Sequence, residues 1–264
     1  MPGCEPAKRI QRADEGLSDE DLAAFERDGF VVVRGLFRRQ ARQLQRWASE
    51  VSSWPEHPAS YAMYFEQSLG NPGARILNRV EKFAECHAGL LGILGDPSLM
   101  IRLEQLFGEP AVLFKDKINY KLPGGGGFEP HQDSQAGWED FALDCISVLV
   151  AIDPNTLANG CVEFAAGHHA NGLLGERWQP LTDEQLANVQ FVPFTLAPGD
   201  AVFFSFHVPH KSAPNLTERP RRNLYLTYNC ASHGDVRARY FAEKRRNFPP
   251  DVEREGGKSY SYRV

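Results

Sequence analysis

A chain of 264 residues, 42% hydrophobic and 24% charged with a formal net charge of −5, is long enough for one sizeable globular core and carries no basic excess. That balance speaks against nucleic acid or an acidic membrane surface as a partner and leaves a small-molecule ligand as the expected one. The five cysteines (Cys4, Cys86, Cys145, Cys161, Cys230) never fall in a CxxC spacing, so neither a disulfide framework nor a zinc ribbon is expected, and a reducing cytoplasm is the simplest location.

Residues 1–16 are polar and broken by proline, which reads as a flexible arm without the apolar centre of a signal peptide. No later stretch approaches the roughly 18 consecutive apolar residues of a membrane span. Residues 1–264 are therefore expected to form a single domain that is neither exported nor membrane-spanning.

Ser18 before DEDLAAFERDG, with Asp21 three positions on and Gly29 closing, predicts a capped helix over 19–28. A β-branched and aromatic strand over 30–37 and a second helix within RRQARQLQRWASEVSSW follow. Residues 55–74 hold prolines, aromatics and Gly70-Asn71-Pro72-Gly73, a loop-rich region with the side chains to cover a pocket. Arg75 to Glu81 alternates polar and apolar residues as a half-buried strand does, and a helical patch spans 83–108. Beyond residue 110 short apolar runs alternate with Gly, Pro, Asn and Asp, the texture of an antiparallel sandwich or barrel. The expected strands are 112–120, 128–133, 145–152, 161–164, 190–196, 201–206 and 222–229, with a last helix and an edge segment after Arg237.

The chemistry concentrates in FKDKINYKLPGGGGFEPHQDSQAGW, residues 114–138. On an extended strand residues i and i+2 share a face, so His131 and Asp133 are expected to project together with Gln132 turned away. The Gly124 to Gly127 turn lets the strand enter a crowded site. A second triplet, His233-Gly234-Asp235, fits the same pattern but has no histidine after it. His168, His169, His207 and His210 are the choices for a third ligand. His210 is favoured by its surroundings, since the strand AVFFSF and Pro209 precede it and Ser212, Asn215 and Arg221-Arg222 follow. Two histidines and one carboxylate form a facial triad that leaves positions open on ferrous iron. Arg221 offers the planar fork that a dicarboxylic co-substrate needs, although RPRR by itself also reads as a solvated turn. Lys115, Lys117 and Asn119 share one strand face and point to an anionic ligand, or equally to an exposed face.

With HQD at 131–133, HKSAPN at 210–215 and Arg221 eleven residues after His210, the chain resembles the phytanoyl-CoA dioxygenase family of Fe(II)- and 2-oxoglutarate-dependent oxygenases. DGFVVVRGLF, NGCVEFAAGH and PGDAVFFSFHVPH fall in that family's order, so the likeness covers nearly the whole chain. It implies a mainly β fold with flanking helices, a double-stranded β-helix or jelly-roll barrel of cupin type. It also implies iron on His131, Asp133 and His210, 2-oxoglutarate clamped by Arg221 with Ser212, Lys117 and Asn119 nearby, and O2 as oxidant. A carboxylate at Asp133, where halogenating relatives carry a small residue, implies hydroxylation. AAGHH where relatives often have PGSH is a local departure outside the triad. KDKINYKLPGGGGF, HQDSQAGW and the C-terminal stretch resemble most the branch that hydroxylates 2-aminoethylphosphonate, next to phosphorus.

A phosphonate would need clustered cations, for which Lys115, Lys117, Arg75 and Arg79 are the candidates. If those charges are solvated instead, Trp138, Tyr61 and Tyr64 would wall a pocket for an uncharged or zwitterionic metabolite. Two alternatives stay open: the same chemistry on an amino-acid-like, acyl-thioester or secondary metabolite, or a non-oxidative metal-binding jelly-roll. The oligomeric state is not legible.

Overall fold

The computed structural model describes residues 16–258 and 260. Its elements in chain order are α1 (Asp19–Asp28), β1 (Phe30–Val33), α2 (Ala41–Ser52), β2 (Ala62–Gln67), β3 (Arg75–Glu81), α3 (Ala88–Leu94), α4 (Pro97–Phe107), β4 (Ala111–Lys121), β5 (Phe128–His131), β6 (Cys145–Ala151), β7 (Val162–Phe164), β8 (Val192–Pro193), β9 (Ala201–Ser205), β10 (His210–Ser212), β11 (Arg221–Cys230) and α5 (Arg237–Asn247).

The strands form two antiparallel sheets, β1-β9-β6-β11-β4-β3-β2 and β5-β10-β7-β8, of a jelly-roll with flanking helices. One core lies between the helices and the larger sheet, where Leu44, Val51, Leu90 and Leu103 meet Val148, Val150, Leu224 and Leu226. Another fills the barrel, where Leu149, Val162, Phe164, Val202 and Phe204 interdigitate. Strand β6, CISVLVA, is buried at every position because helices cover one of its faces and the barrel interior the other.

Local chemistry explains the helix ends. Ser18 and Asp21 form a reciprocal capping box at α1, and Gly29 closes it at φ +83°. The helical patch expected over 83–108 is split, since Asp96 caps and Pro97 opens α4 after α3 has ended at Gly95.

Other expectations are corrected in length. β1 stops at Val33, because the chain turns at Gly35 (φ +69°), whose N–H donates to Asp200 Oδ1 at 2.7 Å. Within 190–196 only Val192–Pro193 forms a strand, and Leu196 adds a single bridge to Asn155. Residues 55–74 are not simply a covering loop: they contain β2, paired along β3. Strand β10 has three residues, too few to show a pattern, yet it sits between β5 and β7. The final SYSYRV lies almost wholly outside the described residues, as does nearly all of the expected N-terminal arm. Among the described residues no helix is long and apolar enough to cross a membrane.

Candidate metal and co-substrate site

β10 sets the site. His210 is the register partner of His131 on β5 and of Phe164 on β7, so sheet pairing brings together residues 79 positions apart. The rings of His131 and His210 lie 4.3 Å apart between centroids. One ligand atom from each of His131, Asp133 and His210 lies within 4.8 Å of the others, and all three side chains are buried. This is the one such group of three among the described residues.

The backbone reaches this arrangement differently from the sequence expectation. β5 ends at His131, and Asp133 opens a short 3-10 turn over Asp133–Ala136 instead of continuing the strand. The turn brings the carboxylate round to the histidines where strand alternation was expected to do so. Gln132 points away, as expected, but it is fully buried. Its Nε2 donates to the carbonyls of Gly172 (2.8 Å) and His207 (2.6 Å), and its Oε1 accepts from Leu174 N (2.7 Å). Gln135 Nε2 donates to the carbonyls of Glu176 and Gln179. Two amides of the HQDSQ segment thereby anchor the long loop before β8.

The electrostatics suit a cation. Nδ1 of His131 faces the Glu129 carbonyl at 2.6 Å and Nδ1 of His210 the Val208 carbonyl at 3.0 Å. Each Nδ1 therefore carries the proton and leaves Nε2 as a lone-pair donor. Burial, reinforced by His210, pushes the His131 pKa down to about 3, and burial lowers that of His210, so both rings are neutral at ordinary pH. Burial works to raise the Asp133 carboxyl, but nearby positive charge, Lys117 foremost, outweighs it and holds the pKa below the usual range. Asp133 Oδ2 also accepts from Ser147 Oγ at 3.0 Å, and Ser147 in turn contacts Thr227 Oγ1 at 2.9 Å.

The other histidines are placed elsewhere. His207 Nε2 meets Glu139 at 3.0 Å, His168 and His169 lie in a short 3-10 turn over His168–Asn171, and His233 closes another at Ala231–His233.

Beside the triad, β4 and β11 present an inward row. Arg221 is 1% exposed, its Nη2 donates to the Gly160 carbonyl at 2.8 Å, and its Nε has no hydrogen-bond partner among the described residues. Asn119, also buried, has an unpartnered Oδ1. Ser212 Oγ accepts from Lys121 Nζ at 2.6 Å. Lys117 Nζ stands 4.8 Å from the Tyr225 ring centre, and burial, helped by Lys115, pulls its pKa down to about 8 against the opposing pull of Asp133. Arg222 faces the other way, into a salt bridge with Asp153 at 2.7 Å.

Glu81, 1% exposed, gathers a cationic cluster: Lys244 at 2.5 Å, Arg79 at 2.8 Å and Lys115 at 3.7 Å. Burial alone would raise the Glu81 pKa, and these cations hold it well below the usual carboxylate range. Tyr64 lies under Arg79 at 4.2 Å and its hydroxyl donates to the Phe248 carbonyl, while the face of Trp138 lies 5.2 Å from Lys115 Nζ. Two residues expected at the site are absent from it. Arg75 is drawn outward to Glu56 and Asp251, and Tyr61 packs on Trp54 in the helix-side core with its hydroxyl on the Pro55 carbonyl. Glu81, Lys244 and Lys121 were missed. Lys121 was within reach, being the next same-face position after 115, 117 and 119.

A jelly-roll with a buried set of two histidines and one carboxylate, next to a buried arginine with an unsatisfied Nε, defines the class of iron- and 2-oxoglutarate-dependent oxygenases. The two free Nε2 atoms, the ionised Asp133 and the unpartnered Arg221 and Asn119 atoms fit those two groups. The chain belongs to the phytanoyl-CoA dioxygenase family, whose model matches residues 25–223, and it is a dioxygenase.

It is 38% identical over 243 residues to a methylphosphonate hydroxylase of Gimesia maris, covering 91% of each chain. It is 37% identical over 247 residues to a 2-aminoethylphosphonate dioxygenase from an uncultured bacterium, covering 93% of this chain and 94% of the relative. Its fold is similar to that of EctD from S. alaskensis, solved with 2-oxoglutarate and 5-hydroxyectoine, at a TM-score of 0.69 and 22% identity over 88% of this chain and 83% of that one.

Proposed function

We propose that the chain is a single catalytic domain that hydroxylates a small phosphonate at the carbon bonded to phosphorus, with 2-aminoethylphosphonate or an N-methylated form as substrate. His131, Asp133 and His210 hold the iron. Arg221 and Ser212 clamp the distal carboxylate of 2-oxoglutarate, with Lys117 and Asn119 lining the same cavity. When bound, iron with 2-oxoglutarate and O2 supplies the oxidation, which forms succinate, CO2 and a hydroxylated carbon. The protein's part is to orient: the Nδ1–carbonyl hydrogen bonds fix the two rings, and Ser147 steadies Asp133. The free buried thiols Cys145, Cys161 and Cys230 fit a reducing cytoplasm as its place of action.

The observation that carries the substrate class is the charge of the interior next to Asp133. Lys115, Lys117, Arg79 and Lys244 gather around Glu81, and Lys117 also faces the Asp133 carboxylate. A phosphonate, with about two negative charges near neutral pH like a phosphate group, complements a lining rich in cationic side chains. Trp138 and Tyr64 supply aromatic faces beside the cations, without Tyr61. The likeness to relatives named for methylphosphonate and 2-aminoethylphosphonate supports the same reading.

The test is succinate release under air with added iron, in the presence of 2-aminoethylphosphonate, its N-methylated forms and methylphosphonate, with phosphorus NMR locating the new hydroxyl. Stimulation by an aminophosphonate with a 1-hydroxy product is expected. If none of these compounds raises succinate above the uncoupled background while an acyl-thioester or amino acid does, the substrate class is wrong and the iron and 2-oxoglutarate assignments stand. If 2-oxoglutarate is not consumed at all, those assignments fall as well.

A further inference from the structure

We infer that Lys121 is a second recognition group of the 2-oxoglutarate site, acting with Arg221 on the distal carboxylate and selecting dicarboxylic over monocarboxylic 2-oxo acids. The inference rests on the reading of Arg221 and Ser212 as the carboxylate clamp.

Lys121 ends β4 directly opposite Arg221, its register partner on β11, so the two side chains enter the barrel interior from adjacent strands. Both are sequestered, at 2% and 1% exposure. Lys121 Nζ donates to Ser212 Oγ at 2.6 Å and to the Ala213 carbonyl at 2.5 Å. An accepting Ser212 oxygen has its own hydrogen left to donate, so the lysine turns the hydroxyl into an outward-pointing donor. Arg221, for its part, keeps Nε unsatisfied. Three groups converge that could each donate to one carboxylate, although the contacts within the protein need only some of their hydrogens.

The charges around Lys121 give the same direction. The groups that face it are Arg221 across the strand pair, Glu66 from β2 and the Cys161 thiol at the entrance to β7, with the Phe128 ring 5.4 Å from Nζ. Glu66 is itself engaged by Gly126 N at 3.1 Å. Two cations side by side in a desolvated pocket are costly until an anion arrives. Burial first, and then Arg221, push the Lys121 pKa down to about 6, so before the ligand binds the amine is neutral above that pH. A carboxylate placed beside it raises that pKa again, and binding then takes up a proton. Affinity for the dicarboxylate accordingly falls as pH rises above about 6.

The experiment is calorimetric titration of the full chain, loaded with manganese in place of iron so that no turnover occurs. The ligands are 2-oxoglutarate and 2-oxobutanoate, which keeps the metal-binding 2-oxo acid and lacks the distal carboxylate. Lys121→Met is expected to weaken 2-oxoglutarate roughly tenfold to a hundredfold and to leave 2-oxobutanoate unchanged, with Lys121→Arg recovering part of the loss. In the unmodified protein at pH 8, parallel titrations in two buffers of different ionisation heat should show proton uptake with 2-oxoglutarate and none with 2-oxobutanoate.

Equal losses for both ligands in Lys121→Met mean a purely structural tie and overturn the inference, as does an unchanged 2-oxoglutarate affinity. Should Lys121→Met fail to give a cooperative melt, the proton count in the unmodified protein decides: no difference between the ligands overturns the inference. Arg221→Lys separates the two readings. If it too leaves 2-oxoglutarate binding intact, the clamp itself is wrong, whereas a loss confined to Arg221→Lys removes Lys121 alone.

Discussion

His131 and His210 are register partners across the β5–β10 pair, so strand pairing holds the two imidazoles side by side, 4.3 Å apart and tilted by 52°. A pair of neutral, carbonyl-anchored rings with Asp133 inserted beside them leaves little to rearrange when a cation enters. His131→Ala, Asp133→Ala and His210→Ala should each lose iron, read as metal content after loading and desalting, and should retain a cooperative melt. His233→Ala should keep full metal content. Iron retained by the His210 variant and lost from the His233 variant would exchange the two sites.

Arg221 and Arg222 are adjacent in sequence and face opposite ways, one to the Gly160 carbonyl and the other to Asp153. Arg221→Lys should weaken 2-oxoglutarate by roughly 1–3 kcal/mol, since a point charge replaces a planar fork. Arg222→Met should instead destabilise the fold by about 3–5 kcal/mol, because it strands the buried Asp153 carboxylate that Arg222 meets through Nε and Nη2. Denaturant melts and ligand titrations of both variants check the split. An Arg222 variant that melts normally but binds 2-oxoglutarate poorly would reverse it.

Gly160 sits at φ +69° with its carbonyl on Arg221 Nη2, and a Cβ there would run into the Ala213 carbonyl. Gly160→Ala should cost at least about 1–3 kcal/mol of stability and weaken 2-oxoglutarate binding together, by pushing the 213–214 segment away from the arginine. Normal co-substrate affinity in a destabilised Gly160→Ala protein would separate the turn from the site.

Gln132 lies between two proposed metal ligands and serves neither directly. Gln132→Ala removes three hydrogen bonds that join the Asp133 turn to residues 172–174 and 207. A loss of roughly 10–100-fold in iron affinity is expected, together with faster proteolysis within residues 172–190. Gln132→Glu, which turns a carboxylate oxygen toward those two carbonyls in a fully buried place, should lose at least as much. If iron affinity is unchanged while the loop is cut faster, Gln132 holds the loop alone.

Much of this architecture is local and was legible for that reason. The capping box of Ser18 and Asp21, the left-handed Gly29 and the strand texture beyond residue 110 depend on side chains within a few positions of one another, where propensity and alternation act. Spacing and neighbours likewise singled out His131, Asp133 and His210, and the structure brings those three together. Alternation placed Lys115, Lys117 and Asn119 on one face but could not say whether that face met water or the barrel interior.

What depended on sheet order and helix docking was not legible. Lys244 reaches Glu81 from 163 positions away because α5 packs against β4, whose sheet neighbour β3 ends at Glu81, and Arg75 is pulled out by Glu56 and Asp251, whose positions no local pattern reports. The Asp133 turn defeated the strand rule because the HQDSQ segment trades ladder hydrogen bonds for the side-chain amides of Gln132 and Gln135, which satisfy carbonyls of a loop some 40 positions later. The residue types belonged to the sequence. Which of them share a desolvated interior was decided by tertiary packing, because burial is a property of the assembled layers and not of the local chain.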